Sequence, residues 1–333
     1  MFLNSPLISA SAFPVTLVIP ILNEAESLPE LLQAIKAQKH RPDEMIFSDA
    51  GSSDGSVALI EAWWQREAWV GAACRVLVLP GAMPGAGRNA GVRLARNGWI
   101  AFLDGGITPH HDWLQQLCRH ARENKALAVF GLCHFSAQSS FAKTVCALSY
   151  GYGALHPVIP ASLFARPLFE AIGFFPEHLR AGEDIVWVNA LVARYGSREV
   201  CSAARVEYTH FPQGWRQVVR KWRLTEAHCV FAGVRTTQQA LYLLGLPTLY
   251  LLLGFGGSVG LATFTAYLAL RGVIDPIRRS ADRPWWRGRP SAALRAPLLV
   301  LALDLSKWFG IMQGIALKCW RKLALSEEQN ARR

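Results

Sequence analysis

Ile100–Pro109 reads IAFLDGGITP, an apolar run that stops in one carboxylate, two glycines and a proline. A buried strand has no use for an acid at its tip, and the glycines strip side chains from the positions that follow. Asp104 therefore marks a place that another group approaches. Similar apolar, β-rich runs stand at Val15–Pro20, Met45–Ser48, Arg75–Leu79, Trp99–Leu103 and Ala128–Leu132. Between them, Ser27–Ala37, Ser56–Trp64, Gly85–Arg96 and Asp112–Asn124 have helix-compatible spacing and boundaries. Strands apolar on both faces, alternating with helices, predict an α/β fold whose mostly parallel central sheet is covered by helices on both faces. Such a sheet binds ligands outside the carboxyl ends of its strands.

Polar clusters fall at three of those ends: Pro20-Ile21-Leu22-Asn23-Glu24, Asp49-Ala50-Gly51-Ser52-Ser53-Asp54-Gly55 and Asp104-Gly105-Gly106. One such cluster is ordinary turn and cap chemistry, and Asp54 reads as an N-cap for the helix after it. Three in register point further, to a nucleotide. Its base and ribose need a carboxylate or amide, and its diphosphate needs a cation or donors.

Composition narrows the partners. Lys plus Arg is 35 against 24 for Asp plus Glu, a net charge of +11 over 333 residues. This suits an anionic partner such as a membrane surface, a nucleotide or nucleic acid; no nucleic-acid motif accompanies the charge, so nucleic acid is not expected. Seven cysteines are scattered from Cys74 to Cys319 with no CxxC pair, which argues against a disulfide framework or zinc site and fits a reducing compartment. The start MFLNSPLISASAFP lacks a basic leader region and is not read as a signal peptide.

PxxNEAxxL at Pro20–Leu28, DAGSSDGS at Asp49–Ser56, GAGRNAGVRLARNGWIAFLDGG at Gly85–Gly106 and AGEDIVW at Ala181–Trp187 together resemble the ordered signature of family 2 glycosyltransferases with the GT-A fold. The resemblance runs from about Val15 to Phe211. It implies a Rossmann-like domain that transfers a sugar from a nucleotide-sugar donor, usually with inversion and a divalent cation, Mg²⁺ or Mn²⁺. By that resemblance Pro20, Asn23 and Glu24 border the nucleotide-sugar, Asp49 holds the base, Arg88 lies near the nucleotide and Asp104 is the first acid of the metal-and-ribose motif. Asp184 is then the general base, with Glu183 supporting it. The family's metal motif places a second acid two positions after the first; here that position is Gly106. Metal binding at Asp104 is thus expected to lean on the donor's own diphosphate, with His210 in VEYTHF as a further candidate ligand.

Simpler readings compete at each place. Gly85–Gly91 superficially suggests a dinucleotide fingerprint, but its third glycine is one position late and the loop does not follow the first strand; there is no GxxxxGK[ST] loop. Small residues for close helix–sheet packing account for most of these glycines. Glu183 and Asp184 also suit a helix N-terminus by complementing its dipole.

The second half changes character. Gly214–Arg223, GWRQVVRKWR, sets Trp215 and Trp222 among Arg216, Arg220, Lys221 and Arg223, which suits a helix at a membrane interface. It imperfectly matches the QxxRW motif of processive polysaccharide synthases, having one extra residue before Trp222. No charge appears between Arg235 and Arg271. The expected organisation is a nucleotide-sugar-binding catalytic domain over 1–212, an amphipathic basic interface helix over 213–235, and a membrane region over 236–333 with C-terminal transmembrane segments at about 239–270 and 297–317. Asp304 and Lys307 interrupt the second segment at i,i+3 spacing.

Orientation poses a conflict. Nucleotide sugars are cytosolic, which places the catalytic domain on the cytosolic face of the cytoplasmic (inner) membrane, with the basic helix on that side. Yet the connector Arg271–Arg295 holds seven arginines, and a single crossing puts it on the other side. Either 241–270 is a hairpin that returns, or the connector lies along the membrane surface. The leading expectation is a membrane-bound, inverting glycosyltransferase acting on a lipid-linked or membrane-delivered acceptor. The rivals are a catalytically silent nucleotide-sugar-binding membrane protein and, behind it, a processive synthase.

Overall fold

The computed structural model describes residues 13–67, 69, 72–281 and 290–331. The N-terminal residues and part of the arginine-rich connector lie outside the described residues. In chain order the elements are β1 (Val15–Ile21), α1 (Leu28–Lys36), β2 (Glu44–Asp49), α2 (Ser56–Glu67), β3 (Ala73–Val78), α3 (Pro84–Leu94), β4 (Trp99–Phe102), β5 (Ile107–Pro109), α4 (Trp113–Glu123) and β6 (Ala128–Phe135). Then follow α5 (Ser140–Ser149), β7 (Leu155–Pro157), β8 (Leu163–Ala165), α6 (Pro167–Ile172), α7 (Glu183–Tyr195) and β9 (Glu199–Tyr208). The last are α8 (Trp215–Ala232), α9 (Thr236–Phe255), α10 (Gly257–Ala269), α11 (Asp275–Arg279) and α12 (Pro290–Ala331). Two compact units divide the chain. The first contains Met1–Cys133, His156–His178 and Trp187–Glu207, the second His134–Leu155, Leu179–Val186 and Tyr208–Arg333.

In the first unit, the sheet runs β3-β2-β1-β4-β8-β6-β9-β5, with β7 beside β6. Its first four strands are parallel, and β1 lies between β2 and β4 with Ile21 opposite Asp49 and Val18 opposite Phe102. That register sets the residues after β1, β2 and β4 side by side. Beyond β4 the pairing turns antiparallel: Ala101 faces Leu163 and Ala128 faces Phe164. The Ala128 run is therefore not the next parallel strand, because the three-residue β8, too short to show a period, stands between. An aromatic core of Phe102, Phe130, Phe164, Phe169, Phe175 and Trp187 fills this region, with Trp187 stacked on Phe175 at 5.0 Å between centroids. Burial of such rings is the main favourable term for the unit.

Gly91 brings α3 onto the sheet: a β-carbon there would lie 2.4 Å from Val18 Cγ1. This is the packing role expected for the glycines of that segment.

In the second unit, three helical stretches are long and apolar enough to cross a membrane: Thr236–Phe255, Gly257–Arg279 and Leu294–Arg321. The apolar stretch read as 239–270 is two helices joined at Gly256. They run antiparallel, since Tyr250 meets Phe264 at 6.1 Å between ring centroids and a β-carbon on Gly260 would strike the Leu252 carbonyl. The hairpin's hydroxyls turn inward on the backbone, as an apolar surrounding requires: Thr248, Thr263 and Thr265 each donate to the carbonyl four residues back. Asp304 of α12 is buried, and it accepts from Tyr242 and Tyr267 at 2.9 Å each and from Arg271 at 2.9 and 3.2 Å. Lys307 stands 3.7 Å from it. The i,i+3 pair seen in the sequence is thus the centre of a network binding α9, α10 and α12, where a lone charge would be costly.

Candidate functional site

The site of the first unit starts from two loops fastened to each other. After β1, Asn23 adopts a left-handed conformation, φ 55°, which asparagine tolerates well. Its amide N donates to Ser52 Oγ at 2.8 Å, and its side-chain oxygen accepts from the Ser53 amide at 2.9 Å. The Glu24 amide donates to Ser56 Oγ at 2.9 Å, and the Ala25 amide donates to Asp54 at 2.9 Å. Asp54 also accepts from the Ser56 hydroxyl and amide, and these bonds, the hydroxyl first, hold its carboxyl below the usual range. Asp54 is a clamp between loops as well as a support for the start of α2. Pro20, at the end of β1, is half-buried.

Asp49 is buried at the tip of β2. Its carboxylate accepts from the Gly51 and Ser52 amides at 3.0 Å each, so the turn after β2 is built around it. Arg88, 4 % exposed, projects from α3 and donates to Asp104 Oδ1 at 2.8 Å, while Asp104 is 38 % exposed. An unquenchable positive charge thus stands against a half-exposed carboxylate just past β4. Gly105 allows the Glu24 side chain to lie against it: a β-carbon there would be 2.7 Å from Glu24 Cγ. Glu24 itself accepts from the Ser27 hydroxyl at 2.6 Å. Pro20, Asn23, Glu24, Asp49, Arg88 and Asp104 all belong to this one rim.

Asn89 carries weight that the sequence reading missed. It is fully buried and holds the Phe175 backbone at both ends, donating to its carbonyl at 2.8 Å and accepting from its amide at 3.0 Å. Glu177 accepts from the same side chain at 3.0 Å and from Arg93 at 2.8 Å. The clamp pins the segment after α6 to the helix that carries Arg88. An uncharged amide beside an arginine was its one visible signal.

The residues present suit a cation only in an open manner. Gly106 offers no side chain, Arg88 occupies one Asp104 oxygen, and among the described residues no group of three or more His, Cys, Asp and Glu gathers into a ligand set. A hard cation held at Asp104 would therefore draw its other oxygens from water and from a bound diphosphate.

The second unit holds the other predicted residues. Glu183 and Asp184 open α7; Glu183 is buried, and Asp184 accepts from the Ile185 amide at 2.8 Å. Gly182 precedes them at φ +87°, the left-handed region that favours glycine, with Cys229 of α8 close by. Burial pushes the Cys229 thiol up to about 11, with the charges of Asp184 and Glu183 adding to the rise. His210 is exposed, and its carbonyl accepts from the Tyr208 hydroxyl at 2.7 Å.

The basic stretch lies on α8, Trp215–Ala232, but its two indoles part. Trp215 is exposed and meets Phe141 edge-on, whereas Trp222 is 6 % exposed and turned inward. Arg216 and Arg220 are exposed. Lys221 is enclosed: its ammonium donates to the Tyr208 hydroxyl at 3.2 Å and stands over the rings of Tyr208, Phe211 and Trp222 at 5.4 to 5.7 Å. Burial lowers its pKa to about 8. All seven cysteines are free thiols.

Comparison with known proteins places this geometry. Glycosyltransferase AglE of Haloferax volcanii is 26 % identical over 187 residues, covering 53 % of this chain and 60 % of the relative. The pre-mycofactocin glycosyltransferase of Mycobacterium tuberculosis is 34 % identical over 109 residues, 32 % of this chain and 20 % of the relative. The succinoglycan biosynthesis protein ExoO of Rhizobium meliloti is 26 % identical over 66 % of each chain. The chain thus spans at most about two-thirds of the length of these relatives. Among solved structures, the mannosyltransferase PcManGT of Pyrobaculum calidifontis, in complex with GDP-Man and Mn²⁺, shares the fold with a TM-score of 0.55 at 18 % identity, covering 87 % of this chain and 86 % of that one. The family model for glycosyl transferase family 2 matches residues 16–202, more than half of the sequence, and the chain belongs to that family.

Proposed function

We propose that the protein transfers a sugar from a nucleotide-sugar donor to a lipid-linked or membrane-delivered acceptor, by single displacement with inversion. The observation that carries the reading is the Arg88–Asp104 pair at the aligned ends of β1, β2 and β4, inside the region matched by the family. In this reading the rim of Pro20, Asn23, Glu24 and Asp49 receives the nucleoside, and Arg88 offsets charge on the diphosphate. A divalent cation held at Asp104, with His210 as a second candidate ligand, would neutralise the departing diphosphate. PcManGT, bound to GDP-Man and Mn²⁺, supports both the donor class and the cation.

Asp184 acts as general base. The acceptor hydroxyl gives its proton to that carboxylate as its oxygen bonds to the anomeric carbon, and the bond from that carbon to the diphosphate breaks on the opposite face. Glu183 positions the start of α7. The apolar helices and the exposed arginines of α8 support a membrane-bound enzyme with its catalytic residues on the cytosolic side of the cytoplasmic membrane, where nucleotide sugars are found.

The test is nucleotide release by the detergent-purified chain from a panel of nucleotide sugars with lipid extract, with and without Mn²⁺ or Mg²⁺. A positioned base contributes roughly 10²–10⁴-fold, so Asp184→Asn is expected to lose that much turnover while donor binding survives. Wild-type turnover in Asp184→Asn would remove Asp184 from the mechanism. Donor binding without turnover in the unaltered chain, under every metal and lipid, would favour a silent binding protein, the reading that Gly106 motivates.

A further inference from the structure

α12 has two faces. Asp304, Lys307, Gly310 and Gly314 are buried in the second unit, while Leu294, Leu298, Phe309, Met312 and Trp320 are exposed. At about 100° per residue these five apolar side chains fall within a stripe roughly 80° wide, and the exposed Ile315 and Leu317 flank it on either side, so the exposed apolar face covers roughly 200° of the helix. Half of the apolar window of α12 is buried, against 11 % for each arm of the α9–α10 hairpin.

The buried face fixes how deep α12 can lie. A β-carbon on Gly310 would stand 2.3 Å from the Arg223 carbonyl oxygen, and one on Gly314 would stand 2.7 Å from that of Ala227. Lys318 donates to the Val230 carbonyl at 3.2 Å. α12 from Gly310 to Lys318 therefore runs beside α8 from Arg223 to Val230, in the same direction and level for level. α8 exposes Arg216, Arg220 and Arg223. An arginine at the centre of a bilayer is costly even on the mildest scale, so a helix exposing three of them stays out of the hydrocarbon. By that register Arg216, Arg220 and Arg223 stand level with Leu303, Lys307 and Gly310, and that stretch of α12 is held out with them.

The hairpin has the opposite character. It carries no charge between Arg235 and Arg271, and its first arm of 20 residues spans about 30 Å, the thickness of the hydrocarbon core. Arg235, Arg278 and Arg279 are exposed at its two ends, Arg235 paired with Glu226 at 3.5 Å and Arg279 with Asp275 at 2.7 Å.

We propose that the chain crosses the bilayer with the α9–α10 hairpin alone, entering and leaving on the side of α8, and that α12 lies in the headgroup interface on its Leu294–Trp320 stripe. The inference rests on the membrane placement proposed above and is independent of sugar transfer. It also returns the arginine-rich connector to the side of α8, which removes the conflict of charge and orientation seen in the sequence.

The test uses the full chain in sealed membrane vesicles of one orientation, probed with a membrane-impermeant maleimide before and after lysis. Cys319 is the natural reporter, since of the seven cysteines it alone is exposed and only Cys74 is partly so. The background is Cys74→Ser. Cys319 is retained in one chain and replaced by Ser in two others, which carry Arg216→Cys on α8 or Ser258→Cys at the hairpin tip. Cys319 and Arg216→Cys are expected to label from the same side, and Ser258→Cys only from the other. Cys319 labelling together with Ser258→Cys, opposite Arg216→Cys, would make α12 a third span and overturn the proposal. All three labelling from one side would show that the hairpin does not cross, with the same result. A chain that stays in the supernatant after ultracentrifugation, its hairpin covered by a second copy instead of lipid, would overturn the membrane placement itself. Transfer activity in that supernatant would leave the enzymatic reading standing.

Discussion

Lys221 shows how a single residue can set a pH response. Its ammonium is buried among three aromatic rings, and desolvation brings its pKa down from 10.5 to about 8. Between those values the unfolded chain holds a proton that the folded chain has released, so stability rises with pH across this window. Lys221→Met removes the effect. Its melting temperature in detergent, relative to the unaltered protein, is expected to be highest near pH 7 and to lose ground as pH climbs from 8 toward 10, by an amount on the order of 3 kcal/mol at full deprotonation. A difference that stays flat across that range would mean that Lys221 does not titrate there. The acids at the strand ends were legible in the sequence because each sits within a local motif: Asp49 with its turn, Asp104 after its strand, Asp184 at the start of a helix. Asn89 was not, because its partner Phe175 lies 86 positions away, and Lys221 was not, because Tyr208 and Phe211, though near in sequence, close over it only when the end of β9 folds against α8. Trp222 was read as an interface indole for the same reason; only tertiary packing turns it inward.

Among the elements, α3 shows why glycine spacing in this chain has a structural rather than a nucleotide-fingerprint meaning. Gly91 faces Val18 in the middle of β1, and an added methyl would meet Val18 Cγ1 at 2.4 Å, well inside contact distance. The helix must then retreat or the strand must shift, and overpacking of this kind costs about 1–3 kcal/mol. Gly91→Ala is expected to lower the melting temperature and to weaken donor binding as well, because α3 also carries Arg88 against Asp104 and Asn89 against Phe175. Unchanged stability in a thermal melt would mean that α3 is free to move. Strands and helices of the parallel half could be read from period and punctuation to within a few residues. Three short strands were not seen: β5, β7 and β8 are three residues each, below the length at which alternation can be recognised, and the longer β9 was missed as well. The hairpin was legible as one of two readings of the arginine-rich connector, but charge counting alone could not decide between them.

For the molecule as a whole, linear order is a poor guide to what folds with what. The sequence suggests a catalytic domain that ends before a basic helix and a membrane region, as though the chain could be cut at residue 235. In the second unit, however, α8 is covered by α12, which lies some 80 to 90 residues further along: Gly310 and Gly314 rest on the backbone of Arg223 and Ala227. α5, from the middle of the chain, takes part as well, with Thr144 donating to the Ala292 carbonyl at 3.2 Å. A chain ending at residue 235 would keep α5 and α8 but lose the helix that packs on both. It would bare Ala227 and Val230, leave Glu226 without nearby Lys307, and set free an apolar face beside the start of α7 that bears Glu183 and Asp184. The expected outcome is an aggregated or inactive product even after the apolar hairpin has been removed, measured by size-exclusion chromatography and nucleotide release. Excising only the hairpin, with a short polar linker from 235 to 271, keeps α12 on α8 and is expected to retain more folded protein than the simple truncation. If the truncated chain proved monodisperse and the excised one did not, α12 would be a passenger of the membrane region and not a structural part of the unit that carries Asp184.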